Sequence, residues 1–196
     1  QKDRDSDYAV IDIGGSVNGW SHEIVDAIAD INANGLLDYK MNVSVEEDWK
    51  PLEEAVRNRG RFNFAICTHT IEDISNPALL LRKLPKIAMA GIITAPSVRT
   101  EMSHVEDPRW LGYIHHRHMI GVQDMGLVLA PKLGFINVFQ KETLTQKDIT
   151  FDPSQEEIAI WWEGNKINFS MIMEDYLGPN IESVLESYYR FIKDNV

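Results

Sequence analysis

The chain has 196 residues, 44% of them hydrophobic, a single cysteine and a formal net charge of −11. That length and apolar content suit one domain with a substantial core, and so acidic a surface repels duplex nucleic acid unless basic residues are segregated, whereas Arg57, Arg59, Arg61, Arg82, Lys83 and Lys86 are scattered. Cys67 alone excludes an internal disulfide and fits a reducing, cytoplasmic compartment, and no apolar run approaches the ~20 residues of a membrane-spanning helix. No signal peptide is expected. The first residues, QKDRDSD, have the composition of a linker, as in a trimmed chain or a domain cut from a larger polypeptide.

The first predicted element is a short apolar strand, Ala9 to Ile13, which carries Asp12 and runs into the glycine-rich turn of YAVIDIGGSVNGW. A strand ending in such a turn is how an α/β domain admits a nucleotide-like ligand: glycines let the backbone approach closely, and N–H groups at the turn bind polar oxygens. Gly14 and Gly19 have the spacing of a phosphate-binding P-loop, but Trp20 stands where the lysine must be. The dinucleotide fingerprint G-x-G-x-x-G is matched only in part, because Ser16 occupies its second glycine. A plain structural turn stays open.

In SHEIVDAIADINANG, Ile24, Ile28 and Ile31 have helical spacing, while IVDAIAD also reads as a buried strand ending at Asp30. The strand is favoured, since Asp30 lies 18 residues beyond Asp12, close to the ~20 at which such sheets place an acid on ribose hydroxyls. A carboxylate can accept hydrogen bonds from both hydroxyls of a diol; a solvated aspartate on a helix face is the alternative. A short apolar stretch follows around Tyr39 to Val45, with Asn42 near its end. EDWKPLEEAVRNRG predicts a helix closed by Gly60. Phe62 to Cys67 is a near-continuous apolar run, as in a strand covered on both faces. It opens into Thr68-His69-Thr70-Ile71-Glu72-Asp73, at the strand end where ligand crevices lie. Asn76-Pro77 starts a helix that buries Leu79, Leu80, Leu81 and Leu84, and KIAMAGIITAPS is a further strand ending at Pro96. Strands alternating with helices predict an α/β fold with a Rossmann-like, doubly wound, mostly parallel sheet.

Beyond Pro96 the chain turns polar, aromatic and histidine-rich, and four of its six histidines fall between His104 and His118. GLVLAPK, FINVFQ and IAIWWEGNKINFSMI predict antiparallel strands, added to the sheet edge or laid over the mouth of the site. The last of them reads as a hairpin around Glu163-Gly164-Asn165-Lys166. Pro179 to Val196 predicts an amphipathic helix with Ile181, Val184, Leu185, Tyr188 and Ile192 as its apolar stripe. The expected organisation is one domain over residues 1–196: a core over about 8–100, an antiparallel elaboration over about 101–178, and a terminal helix over 179–196.

Three of these segments line up, in order, with class I S-adenosylmethionine (SAM)-dependent methyltransferases. VIDIGGSVNGW resembles their motif I. FNFAICTHTIEDISNPALLLRKL resembles their motif IV, a strand followed by a Ser-His-x-x-Glu-His-type turn and a helix. PSVRTE…PRWLGYIHHRH is similar to a subgroup with a His-His-Arg signature after the fifth strand, associated with glycan and surface-polysaccharide modification. The resemblance covers roughly residues 8 to 120. Ser16 departs from it by replacing a family glycine, and Asp73 by standing where many relatives have histidine.

The resemblance implies SAM as cofactor and a sugar hydroxyl as methyl acceptor, such as that of a terminal deoxyhexose of a glycan. Asp12, Gly14, Gly15 and Ser16 would hold the amino and carboxylate ends of SAM, Asp30 its ribose, Asn42 its adenine, and Thr68 and His69 its methionine side. Transfer to a hydroxyl needs alignment and a base for the hydroxyl proton. An unperturbed histidine titrates near ~6.5, so His115 and His116 lead, with Asp73 and Glu72 as orienting carboxylates or alternative bases. Adjacent residues on a strand point to opposite faces, so at most one of the two histidines should face the substrate. Glu101, Trp110, Tyr113 and Arg117 are the expected acceptor contacts, with Arg117 neutralising Glu101 or Asp73. Trp161 and Trp162 could also stack on a sugar, although core packing is the commoner fate of such residues. No metal is expected; His115, His116, Glu101 and Asp73 would be its ligands, without a diagnostic spacing. The expected partners are a small-molecule or glycan substrate and other domains of a larger polypeptide, with no nucleic acid and no membrane. A nicotinamide-dependent oxidoreductase and a noncatalytic SAM-binding or scaffold domain are the alternatives.

Overall fold

In the computed structural model, β1 (Val10–Ile13) is buried at every position, as its apolar run requires. The structure describes residues 8–16, 18–33, 38–124, 126–138, 149–150, 152–172 and 180–196; the linker-like segment 1–7 and Pro179 lie outside them. β1 pairs in parallel with β2 (Ala27–Asp30) on one side and β4 (Phe62–Thr68) on the other. β3 (Tyr39–Lys40) pairs in parallel with β2, and β5 (Ala88–Pro96) with β4. With β8 (Glu157–Glu163) at the far edge, the order β3-β2-β1-β4-β5-β8 makes a six-stranded, mostly parallel sheet. The chain runs outward from β1 to β3 and restarts at β4 on the other side of β1. Such a reversal is a switch point, where α/β sheets leave a crevice beyond the carboxyl ends of their strands.

Two compact units share the chain: Gln1–Thr94 with Ala159–Ile167, and Ala95–Ile158 with Asn168–Val196. In the first unit, α1 (Lys50–Arg59) is entered through a 3-10 turn, Glu46–Trp49, and stopped by Gly60 at φ +89°. α2 (Pro77–Ile87) begins as predicted, with Asn76 accepting the Leu79 N–H at 3.1 Å and Pro77 in the first turn, where a missing N–H costs nothing. Lys83 is buried and donates to Glu46 and Glu53 at 2.5 and 2.6 Å. One of the basic residues in the sequence is therefore an internal cation rather than part of a basic face.

The second unit holds a three-stranded sheet in the order β6-β7-β9. β6 (His118–Gln123) and β7 (Gly126–Pro131) form an antiparallel pair, and β9 (Phe169–Met171) runs parallel to β7. α3 (Val98–Glu101) and α4 (Ile181–Asn195) pack a core of Val98, Met102, Leu111, Met119, Tyr188, Phe191 and Ile192 with this sheet. Asn180 caps α4 by accepting the Ser183 N–H.

The strand ending at Asp30, both α/β helices and the terminal helix stand as predicted. Four details differ. The strand expected from Tyr39 to Val45 stops at Lys40, because Asn42 Oδ1 accepts the Ser44 N–H at 3.0 Å and turns the chain. The hairpin expected around Gly164 does not form: the turn is there, with Gly164 at φ +93°, but β8 belongs to the six-stranded sheet and β9 to the three-stranded one. Turn chemistry fixes a local reversal, whereas a strand pairs with whichever edge offers it N–H and C=O groups. Phe135–Val138, the described part of FINVFQ, is a turn rather than a strand; Asn137 is buried there, donating through its side chain to the Leu111 carbonyl. On α4, Ile181 is exposed and Phe191 joins the buried stripe instead.

Tyr188 gives this core a measurable signature. Its hydroxyl donates to the Pro131 carbonyl and accepts the Leu133 N–H at 3.4 Å. Burial pushes the phenol up to about 12, whereas an unfolded tyrosine ionises near ~10. The unfolded chain thus loses that proton first, and stability falls as pH rises from about 10 towards 12. Denaturant melts over this range should show a loss in the wild-type chain that Tyr188→Phe lacks. Near neutral pH the Phe variant should be less stable by about 1 kcal/mol.

Candidate functional site

Asp12 is central to β1 and 3% exposed, in register with Ile28 on β2 and Ile66 on β4. Its Oδ2 accepts the Ser21 hydroxyl, while Oδ1 has no hydrogen-bond partner among the described residues. A Cβ on residue 15 would fall 2.0 Å from Asp12 Oδ2, so only glycine fits there. Gly14 adopts φ +81°, and a Cβ on it would meet the Thr70 side chain at 2.2 Å. The glycine pair that drew attention in the sequence is thus required by packing within the chain itself.

The same pair lines two adjoining hollows at the carboxyl ends of β1, β2 and β4. One, about 340 Å³, is bordered by Gly14, Gly15, Ser16, Asn18, Asp30, Asn32 and Ala33. The other, about 290 Å³, is bordered by Gly14, Asp30, Ile31, Met41, Asn42, Val43, His69, Thr70, Asp73 and Ile74. Gly14 and Asp30 belong to both. The first is polar, and the second adds the apolar surface of Ile31, Met41, Val43 and Ile74. Asp30 Oδ1 accepts the Asn32 N–H at 2.7 Å, which orients the carboxylate. Asn42 uses Oδ1 on the Ser44 N–H, so it is a turn asparagine that also borders the second hollow.

Charge around these hollows has one sign. Asp30 and Asp73 line them, and among the described residues neither lining contains lysine or arginine. Burial holds the Asp12 carboxyl above its ordinary range, against the pull of the Ser21 hydrogen bond, and the charge of Asp30 adds to the shift. Glu72 is 1% exposed, and neither of its oxygens has a hydrogen-bond partner among the described residues; His69 Nδ1 stands 3.4 Å from Oε1. His69 lines the second hollow from a left-handed backbone, φ +48°, uncommon for a side chain other than glycine. Burial, Asp12 and Glu72 together push the Cys67 thiol up, so it stays protonated and unreactive. Thr68 ends β4 and accepts the Thr70 hydroxyl on its carbonyl at 3.0 Å.

In the second unit, the predicted residues sort by burial. His115 and His116 sit in a turn before β6 rather than on a strand, yet they differ as strand neighbours would: His115 is exposed and His116 is buried. His115 Nδ1 lies 3.8 Å from Glu106. His116 Nδ1 lies 2.5 Å from Glu101 Oε1. Glu101 is fully buried, and its other oxygen accepts Lys132 Nζ. The cation on Glu101 is therefore Lys132, not Arg117, which is exposed. Gly112, at φ +60°, leaves room for this carboxylate; a Cβ there would fall 2.5 Å from Glu101 Oε2. Tyr113 stacks on His116 at 4.7 Å between ring centroids, and burial holds its phenol above the usual range, helped by nearby glutamates. Trp110 lies under the Arg109 guanidinium, 4.8 Å from its ring centroid, and donates to Glu106. In the first unit, Trp161 is 70% exposed beside Phe64, while Trp162 is buried against Gly91.

Asp12, Gly14, Gly15, Ser16, Asp30, Asn42, His69 and Asp73 thus gather at one strand-end crevice, with Glu72 buried next to His69. Thr70, Met41, Val43 and Ile74 border it without having been singled out, and Lys132 is the unforeseen member of the Glu101 cluster. The apolar residues gave no chemical signal, and Lys132, in GLVLAPK, reads as the polar end of a strand. No protein-family model, no curated protein and no solved structure matches this chain.

The raised Asp12 carboxyl has a consequence for stability. Such a group favours folding while protonated and loses that contribution as pH rises above its unfolded value, ~4. Asp12→Asn, which cannot ionise, should gain in melting temperature relative to the wild type as pH is raised from about 4 to 7 in the ligand-free protein. A difference that stays constant over that range would mean the buried carboxylate is not penalised. Gly15→Ala should cost about 1–3 kcal/mol by forcing Asp12 aside.

Proposed function

We propose that this chain is a SAM-dependent O-methyltransferase whose acceptor is a sugar hydroxyl, such as that of a terminal deoxyhexose of a glycan. The observation that carries the reading is the charge of the crevice: Asp30 and Asp73 line it, Asp12 and Glu72 are buried beside it, and no lysine or arginine among the described residues borders it. A dinucleotide would bring a diphosphate to a lining with no lysine or arginine among the described residues. A sulfonium with an ammonium group beside it brings positive charge to a lining that holds Asp30 and Asp73. The hollows also have the size and mixed polarity of a small-ligand site. In this reading the sheet is Rossmann-like and doubly wound, and the likeness to motifs I and IV supports it.

The residues fit the group in the following roles. The Gly14–Ser16 backbone meets the amino and carboxylate ends, with Asp12 buried under Gly15 as the charge that complements the ammonium. Asp30, between the two hollows, takes the ribose hydroxyls. Asn42 and the apolar surface of Met41, Val43, Ile31 and Ile74 take the adenine, and Thr68 and His69 serve the methionine side. Bound SAM supplies a methyl group already activated for in-line displacement. The chain then has to align the acceptor oxygen and take its proton. On the resemblance alone, one histidine of the His115–His116 pair would take that proton, with Asp73 and Glu72 as the alternative bases, and Trp110, Tyr113 and Arg117 would contact the sugar. Glu101, buried with both oxygens engaged, orients other groups instead of meeting the acceptor.

Calorimetric titration with SAM, S-adenosylhomocysteine and NAD tests the reading. Micromolar binding of the first two with none of the third is expected, and Asp30→Ala should weaken SAM binding about 10- to 100-fold. NAD binding without SAM binding would replace the reading with a nicotinamide-dependent oxidoreductase. SAM binding without methyl transfer to any of a broad monosaccharide and glycan panel would favour a noncatalytic domain.

A further inference from the structure

Asp12 is 3% exposed, and its surroundings in the first unit suit a neutral group better than a charged one. An ionised carboxyl offers about four acceptor positions on its two oxygens. Asp12 Oδ2 receives the Ser21 hydroxyl, and Oδ1 receives nothing among the described residues. The titratable groups around it bring no compensating charge. From β2, Asp30 adds a like charge. From β4, Cys67 is a thiol kept protonated by burial, by Asp12 itself and by Glu72 of the following loop. A buried carboxylate with one hydrogen bond and no cation is penalised, so protonation stabilises it. Burial accordingly holds this carboxyl above its ordinary range.

The same carboxyl touches the lining of the first hollow. Gly15 belongs to that lining, and Asp12 fills the space where its Cβ would be: such an atom would fall 2.0 Å from Oδ2 and 2.8 Å from Oδ1. Residue 15 therefore puts no side chain of its own between this carboxyl and a ligand lying on the backbone. The rest of the lining, from Gly14 and Ser16 to Asn32 and Ala33, has no lysine or arginine among the described residues. An opposite charge brought within ~6 Å of a carboxyl favours its ionised form and so acts against burial.

We infer that the first hollow is proton-linked: at mildly acid pH Asp12 is a neutral carboxyl while the hollow is empty, and it gives its proton to solvent when a ligand ammonium settles on the Gly14–Ser16 backbone. The ammonium rests on the methyltransferase reading; the neutral carboxyl of the empty protein does not. On binding, the Asp12 O–H bond breaks, the proton passes to the buffer, and Oδ2 of the new carboxylate accepts the Ser21 hydroxyl. The amino and carboxylate ends of the ligand keep their charges over this range. Protons and ligand thus compete at Asp12. Affinity falls as pH falls, by up to about tenfold per pH unit while the free carboxyl is protonated, and it levels off once pH exceeds the raised range. The empty core holds no unmatched charge, and the charge appears only when a cation is there to match it.

The test is calorimetric titration of the full chain with SAM from about pH 5 to 7, in paired buffers of different ionisation heat, so that the difference in observed heat counts the protons released. S-adenosylhomocysteine carries the same ammonium, and 5′-methylthioadenosine is the nucleoside without the amino acid. His69 borders the second hollow, so the nucleoside measures what that side contributes. At the acid end, SAM and S-adenosylhomocysteine should each release roughly 0.5–1 proton more than the nucleoside, falling towards none as pH rises. Asp12→Asn should remove this excess and flatten the pH dependence of affinity to within about twofold. Should that variant fail to fold, the comparison with the nucleoside still decides. Carbon-13 NMR of the aspartate carboxyls in the empty protein should show one that titrates above the ordinary ~4 and is missing from Asp12→Asn. SAM binding with no excess release, or an excess that survives Asp12→Asn, would overturn the inference and leave the methyltransferase reading standing. Absence of the raised carboxyl overturns the inference alone, whereas absence of SAM binding overturns both that reading and the ammonium as trigger.

Discussion

The first unit depends on one crowded contact, the Asp12 carboxylate lodged where a side chain of residue 15 would otherwise begin. A carboxylate in the middle strand of a sheet has apolar neighbours in register on both sides, here Ile28 and Ile66, and must find its hydrogen bonds off the end of the strand. Ser21 provides one, from the 3-10 turn Trp20–Glu23. That requirement fixes the path of the chain after β1: residue 15 must lack a Cβ, and residue 14 must take a backbone conformation open chiefly to glycine while clearing Thr70. The turn is therefore held in shape by the protein's own atoms, and a ligand entering the hollows would meet a backbone already in place. Such preorganisation lowers the cost of binding.

Charge distinguishes the hollows. Carboxylates crowd the strand ends of β1, β2 and the loop after β4, and the buried Lys83 is spent on Glu46 and Glu53. Carboxylates placed this way make the hollows electrostatically unfavourable to anions. Burial raises the Asp12 carboxyl, with a smaller share from the charge of Asp30, and Asp12 and Glu72 add to burial in keeping Cys67 inert.

The second unit meets the problem of buried charge differently. Glu101, His116 and Lys132 are all buried, but each has a hydrogen-bonded partner within the cluster, and Lys132 also holds a backbone carbonyl. Such a network costs little only when every member is satisfied, and it then fixes one arrangement among many. The tyrosine at the base of this core behaves likewise, its hydroxyl bridging Pro131 and Leu133.

The strand to Asp12, the strand to Asp30, the capped helix at Asn76-Pro77 and the terminal helix were all legible in the sequence, because hydrophobic period and capping chemistry act over a few residues. The crevice at the switch point followed from the order of strands and helices, and Asp30 from its distance to Asp12. Where local signals misled, a distant partner had intervened. Gly164 turned the chain as its neighbours foretold, yet β8 and β9 found edges in different sheets. Asn42 ended a strand by capturing a nearby N–H, and adjacent histidines were separated by a turn and a buried carboxylate rather than by strand alternation. By itself, then, the sequence determined the α/β character, the mostly parallel order and the place of the hollows at the strand ends. Only the tertiary structure decided which carboxylates line the hollows and which lysine answers Glu101. Element type is set by neighbours along the chain, while the pairing of buried charges is set by which groups the packed core brings within hydrogen-bonding distance.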